Sequence, residues 1–156
     1  LFIEAKAENQ LTVNPKSGYP LSVMSAYRSY AYQSSLFSHY TDNEMARNPA
    51  LTREQAEAIT VTYSNRPGTS EHNTGFSADF NIAEDSFEST PMFTWMQEHA
   101  ADYGFVLRFP KDKQEITGIT YESWHYRFVG INNAKEMNRL NMCLEEYVEY
   151  MNNKKK

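Results

Sequence analysis

Residues 76–80 read FSADF, an alternation of apolar and polar side chains that suits a strand with one buried face. Gly75 stands just before it and allows a sharp turn out of the loop SNRPGTSEHNTG, residues 64–75. Along the strand Phe76, Ala78 and Phe80 fall on one face, Ser77 and Asp79 on the other. Any fold that accepts this segment must cover the first face with a core. It then leaves a lone carboxylate, Asp79, on the second face, seven residues after the lone imidazole of His72.

The rest of the chain supplies the elements to pack around it. PLSVMSAY (20–27) predicts a strand, and Ser29 caps a helix running to about Asp42. Thr52 and Gln55 form a capping box for a helix reaching about Tyr63. Thr90 with Pro91 opens another helix, which Gly104 closes. FVLRF (105–109) and WHYRF (124–128) predict strands with PKDKQEITG as a loop between, and 131–139 and 143–151 predict two closing helices. Helices come first, then strands with a helix inserted. That order points to a single α+β domain, with a small, mostly antiparallel sheet flanked by helices. The turn cluster NPKSGYP (14–20) precedes it. The expected division is an N-terminal segment (1–19), the domain (20–151) and a basic tail (152–156).

At 156 residues the chain suits one core, and eleven Tyr and nine Phe can fill it. The formal net charge of −5 argues against a general nucleic-acid binder. No apolar run reaches the ~18 residues of a membrane span. With Cys143 the sole cysteine, no disulfide can form within the chain, and it reads as a small buried hydrophobe.

Four histidines carry the interest. His39 lies in a helical, Tyr- and Ser-rich stretch and reads as a surface group. His99, near a helix C-terminus, suits the helix dipole. His72 sits in the loop entering FSADF, and His125 sits in YESWHYRF with Glu122 three residues before it. Taken alone, a histidine in either setting is more often structural than a ligand. Together, His72, Asp79 and His125 offer two nitrogens and one oxygen, a set that catalytic zinc uses while keeping a position for water. Zinc so held stays cationic and acidifies its water, and Glu122 is then the natural general base. In a regular strand Glu122 and His125 would face opposite ways, so Glu122 must lie in the preceding turn or on a bulge. The spacing by itself leaves metal binding open. Glu71, next to His72 in what reads as an extended segment, is expected to face solvent.

Two blocks carry a resemblance. PGTSEHNTGFSADF resembles the S-x-H-x-x-G-x-A-x-D signature of the VanY-type zinc D-alanyl-D-alanine carboxypeptidases, matched by Ser70, His72, Gly75, Ala78 and Asp79. ESWHYRFVG is similar to the E-x-W-H block of that family, matched by Glu122, Trp124 and His125. SAYRSYAYQ adds an S-x-Y-R element with Arg28, and Gln33 five residues on. Order and spacing agree from about residue 20 to 150.

The resemblance implies a metallopeptidase with one Zn²⁺ at the sheet, acting on peptidoglycan stem peptides of the bacterial cell wall. His72, Asp79 and His125 would bind zinc and Glu122 would be the acid/base. Arg28 would stabilise the oxyanion or hold the substrate carboxylate, and Gln33 and Ser70 would help bind the terminal D-residue. The leading expectation is a D,D-carboxypeptidase that trims D-Ala from pentapeptides and so removes the target of vancomycin-type antibiotics. The alternatives are an L,D-carboxypeptidase on tetrapeptides, a D,D-dipeptidase, and a non-catalytic zinc-containing wall-binding module. The family also implies a monomer at the extracytoplasmic face, anchored at the N-terminus in its full-length form, with a cytoplasmic enzyme as the alternative.

Overall fold

A computed structural model describes residues 21–155. The segment 1–19, the turn cluster at 14–20 and Lys156 lie outside the described residues. Strand β1 (Val23–Ser25) leads into helix α1 (Tyr30–Arg47) and helix α2 (Arg53–Thr60). A 3₁₀ turn (Glu71–Thr74) precedes strand β2 (Ser77–Phe80). Helix α3 (Pro91–His99), strand β3 (Phe105–Leu107) and the short helix α4 (Gln114–Thr117) follow. Strand β4 (His125–Phe128) and helices α5 (Ile131–Leu140) and α6 (Leu144–Lys154) complete the domain. The four strands form one sheet in the order β1-β2-β4-β3, every neighbouring pair antiparallel.

The caps act as the sequence predicts. The Ser29 hydroxyl accepts from the Tyr32 amide, and Thr52 and Gln55 close a reciprocal capping box. The Thr90 hydroxyl accepts from the Phe93 amide, and Gly104 ends the 3₁₀ turn after α3 in the left-handed region. Helix α1 runs to Arg47, five residues past the expected end, because its buried stripe continues through Thr41 to Glu44. Tyr63 donates to the Glu44 carboxylate at 2.9 Å, which satisfies that acid inside the interface with α2. PKDKQEITG is not a bare loop: it contains α4 and a preceding 3₁₀ turn.

Two details of FSADF differ from its alternation. All four residues of β2 are buried, because the polar face meets the 3₁₀ turn and β4 rather than water. Phe76 lies outside the strand and is half exposed, stacked on Phe128. Its carbonyl still accepts from the Phe128 amide. Ala78 and Phe80 join Phe87, Met92, Trp95, Met96 and Tyr126 in the main core beneath α3. A smaller cluster of Ala101, Val106, Ala134, Met137 and Tyr147 seats α5 and α6 against the β3 edge. Cys143 is buried and caps α6.

Candidate metal centre and active site

The register of the central strands builds the site. Asp79 on β2 pairs with His125 on β4, so both side chains stand on the face opposite the core. His72 arrives from the 3₁₀ turn, which Gly75 closes at φ +75°, a left-handed conformation that suits glycine. His125 Nδ1 lies 2.9 Å from Asp79 Oδ1, and His72 Nε2 lies 3.3 Å from Asp79 Oδ2. The three donor atoms fall within 4.8 Å of one another, and all three residues are buried. No other group of three His, Cys, Asp or Glu among the described residues meets that condition.

The donor set fits a divalent metal ion. The His72 Nδ1–H donates to the Ala26 carbonyl at 2.6 Å, which fixes the tautomer with Nε2 turned toward Asp79. Burial would raise the Asp79 pKa, but its hydrogen bond with His125 and the His72 ring beside it outweigh that and hold the carboxyl far below its ordinary range. Arg28 adds a contact of 2.6 Å to Asp79 Oδ2. Two imidazole nitrogens and one buried carboxylate oxygen thus converge, the mixed donor set that a divalent ion such as zinc takes.

Glu122 lies in the turn before β4. Its amide donates to the Phe109 carbonyl, and its own carbonyl accepts from the His125 amide. That turn resolves the three-residue spacing, and the Glu122 carboxylate comes 3.7 Å from His125 Nδ1. Burial pushes its pKa up to about 7, with His125 and Arg28 opposing only in part. A carboxyl poised near neutrality can both take and return a proton.

Arg28, Ser70 and Trp124 line the same cleft of about 300 Å³. Gln33 is fully buried: its Nε2 donates to the Asn65 carbonyl at 2.8 Å, and its Oε1 accepts from Arg28 at 3.5 Å. His39 is exposed and meets Asn43, and His99 packs in a tilted contact against Trp95, so neither enters the site.

Glu71 corrects the sequence reading. It is not turned to solvent, for its side chain is only 18% exposed. Residues 71–74 form a 3₁₀ turn, in which successive side chains project about 120° apart rather than to opposite sides. Glu71 therefore turns inward, where Arg108 donates to it at 2.7 Å and Ser77 at 3.1 Å. Arg108 in turn grips Glu145 with both terminal nitrogens, at 3.0 and 2.6 Å. The sequence does hold a signal for this network. An arginine inside the short apolar run FVLRF needs a buried partner.

Comparison with known proteins decides the family. The VanY model, D-alanyl-D-alanine carboxypeptidase, matches residues 3–131. The chain belongs to the VanY family. It is 44% identical over 118 residues to a D-alanyl-D-alanine carboxypeptidase of Enterococcus faecium, covering 76% of this chain and 39% of that relative. The chain therefore spans well under half of that relative's length. Among solved structures, a vancomycin-resistance D,D-pentapeptidase VanY mutant in complex with Zn(II) superposes with a TM-score of 0.76 at 36% identity. The match covers 94% of this chain and 76% of that one. The LdcB LD-carboxypeptidase gives 0.72 at 34% identity, covering 94% and 64%.

Proposed function

We propose that this VanY-family chain is a zinc-dependent D,D-carboxypeptidase that removes the terminal D-Ala from peptidoglycan stem pentapeptides. The observation that carries the reading is the juxtaposition of His72, Asp79 and His125 with Glu122 in one buried cleft. His72, Asp79 and His125 would hold one Zn²⁺. When bound, the ion supplies Lewis acidity toward the scissile carbonyl and toward water. Glu122 takes the proton of the attacking water and returns it to the leaving amine, a role suited to its raised pKa. Arg28 offers paired N–H donors to a carboxylate or developing oxyanion. Gln33, buried behind Arg28, acts by fixing that guanidinium, and Ser70 presents a hydroxyl at the cleft wall. Trp124 packs against the core while lining the cleft, and so walls the site against water.

A cell-wall substrate favours an enzyme working outside the cytoplasmic membrane, with a cytoplasmic enzyme acting on wall precursors as the alternative. No helix among the described residues is long and apolar enough to cross one.

Matched digests test the reading. Zinc-loaded protein is incubated with a stem pentapeptide ending in D-Ala-D-Ala and with the tetrapeptide ending in one D-Ala, and products are weighed by mass spectrometry. Loss of one D-Ala from the pentapeptide alone, abolished by chelator and restored by zinc, is expected. Cleavage of the tetrapeptide instead would move the enzyme to the L,D class, to which the LdcB relative belongs. Cleavage of neither, with zinc bound, would overturn the enzymatic reading in favour of a binding module.

A further inference from the structure

The two histidines of the site are oriented by different means. His72 donates from Nδ1 to a backbone carbonyl and turns Nε2 to Asp79. His125 is reversed: Nδ1 faces Asp79, and Nε2 points to the far side of the ring. Among the described residues, His125 Nε2 is the one buried side-chain polar atom with no hydrogen-bond partner. The carboxylate that faces it is Glu71, whose Oε2 lies 3.6 Å away. An imidazole carries its two nitrogens on opposite edges. Glu71 therefore cannot share a metal with Nδ1 of the same ring, but it can accept the proton on Nε2.

We propose that Glu71 is the positioning carboxylate of His125. It takes the Nε2–H, fixes the tautomer that leaves Nδ1 free as a ligand, and raises the basicity of that nitrogen. The inference rests on the zinc reading above. Glu71 is itself held in place. Ser77 donates to the same oxygen that faces His125, while Arg108 binds the other. Arg108 is locked in three ways: by the Glu145 fork on α6, by burial, and by stacking 4.7 Å over the Phe109 ring. Phe109 also lies against the His125 ring, at 5.0 Å between centroids. The chain Glu145–Arg108–Glu71–His125 thus ties the last helix to a metal ligand through contacts that nowhere touch the substrate cleft except at Glu71 and His125.

The test is zinc affinity, read by chelator competition in the whole chain, with no peptidase assay involved. Glu71→Ala should weaken zinc binding by about 10- to 100-fold and shift the visible spectrum of the cobalt-substituted protein, because the His125 ring is freed to turn. Glu71→Gln keeps an oxygen acceptor and should lose less. Glu145→Gln, remote from the metal, should lose least. Circular dichroism checks that each variant is folded. If Glu71→Ala does not fold, Glu71→Gln decides alone. Folded Glu71 variants that bind zinc within twofold of the unaltered chain, with an unchanged cobalt spectrum, would overturn the proposal and leave the zinc reading standing. An unaltered chain that takes up no zinc would overturn both.

Discussion

The two faces of strands β2 and β4 are one residue apart in sequence and opposite in chemistry. One face presents Ala78, Phe80 and Tyr126 to Trp95 and Met96. The other presents Asp79 and His125 to His72, Arg28 and Glu71. Both are buried. The first is held by volume, since apolar groups need only fit. The second is held by pairing, since each buried charge must find its partner or cost several kcal/mol. Damage to the first face should therefore appear as lost stability, and damage to the second as lost metal or lost turnover.

The sharpest separation is expected at Glu122. Glu122→Ala removes the proton shuttle and should cut turnover by about 10²–10⁴-fold, with zinc content and melting temperature close to those of the unaltered chain. Near-normal peptidase activity would remove Glu122 from the mechanism. Asp79→Ala should instead abolish zinc uptake, because it takes away the anion that both histidines and Arg28 face. A full zinc equivalent in that variant would end its assignment as a ligand.

On the apolar face the large effect is thermodynamic. Trp95 is 2% exposed and packs in tilted ring contacts against both His99 and Tyr103. Trp95→Ala should destabilise the fold by about 3–5 kcal/mol in denaturant unfolding, while the folded fraction keeps its zinc affinity. A Trp95→Ala protein of ordinary stability but weakened zinc binding would show that the two faces are coupled.

How far these faces were readable from the chain follows the same division. The caps at Ser29, Thr52 and Thr90 and the pairing of His72 with Asp79 rest on local signals, a hydroxyl at a helix start or a two-residue period, and these survive folding. Local signals do not assemble Glu71, Arg108 and Glu145, because their contacts join positions 37 residues apart on each side of Arg108. The turn that aims Glu71 inward is a 3₁₀ helix that periodicity does not announce. Hydrophobic spacing understates the length of α1 for a related reason. Its buried stripe of Gln33, Phe37, Thr41 and Glu44 is mostly polar, so hydrophobic spacing fades before the helix ends.

A smaller effect distinguishes the paired face by pH. In the metal-free protein burial would lower the His125 pKa from 6.5, but Asp79, Glu71 and Glu122 more than offset it and push it up to about 9. A raised pKa means that the folded state favours the protonated ring. That contribution to stability is full below about 6.5 and lost as pH rises through about 9. A metal ligand must shed its proton, so zinc competes with this proton below pH 9. Apparent zinc affinity should rise by up to about tenfold per pH unit between 6.5 and 9, and then level. Affinity already flat from pH 6.5 would mean that His125 is not protonated in the free protein.

The smallest effect is expected where the alternation of FSADF failed. Phe76 sits at the end of the apolar series with Ala78 and Phe80, yet it is 53% exposed and lies outside the core cluster. Its ring stacks on Phe128 at 6.4 Å and 16°, with the Arg127 guanidinium 5.6 Å from its centroid. Such half-solvated contacts contribute about 0.5–1 kcal/mol each, and the backbone bond from the Phe128 amide survives truncation. Phe76→Ala should therefore cost about 1 kcal/mol in denaturant unfolding and leave zinc binding unchanged. A loss as large as that of Trp95→Ala would mean that the apolar face extends one residue further, as the alternation alone suggests.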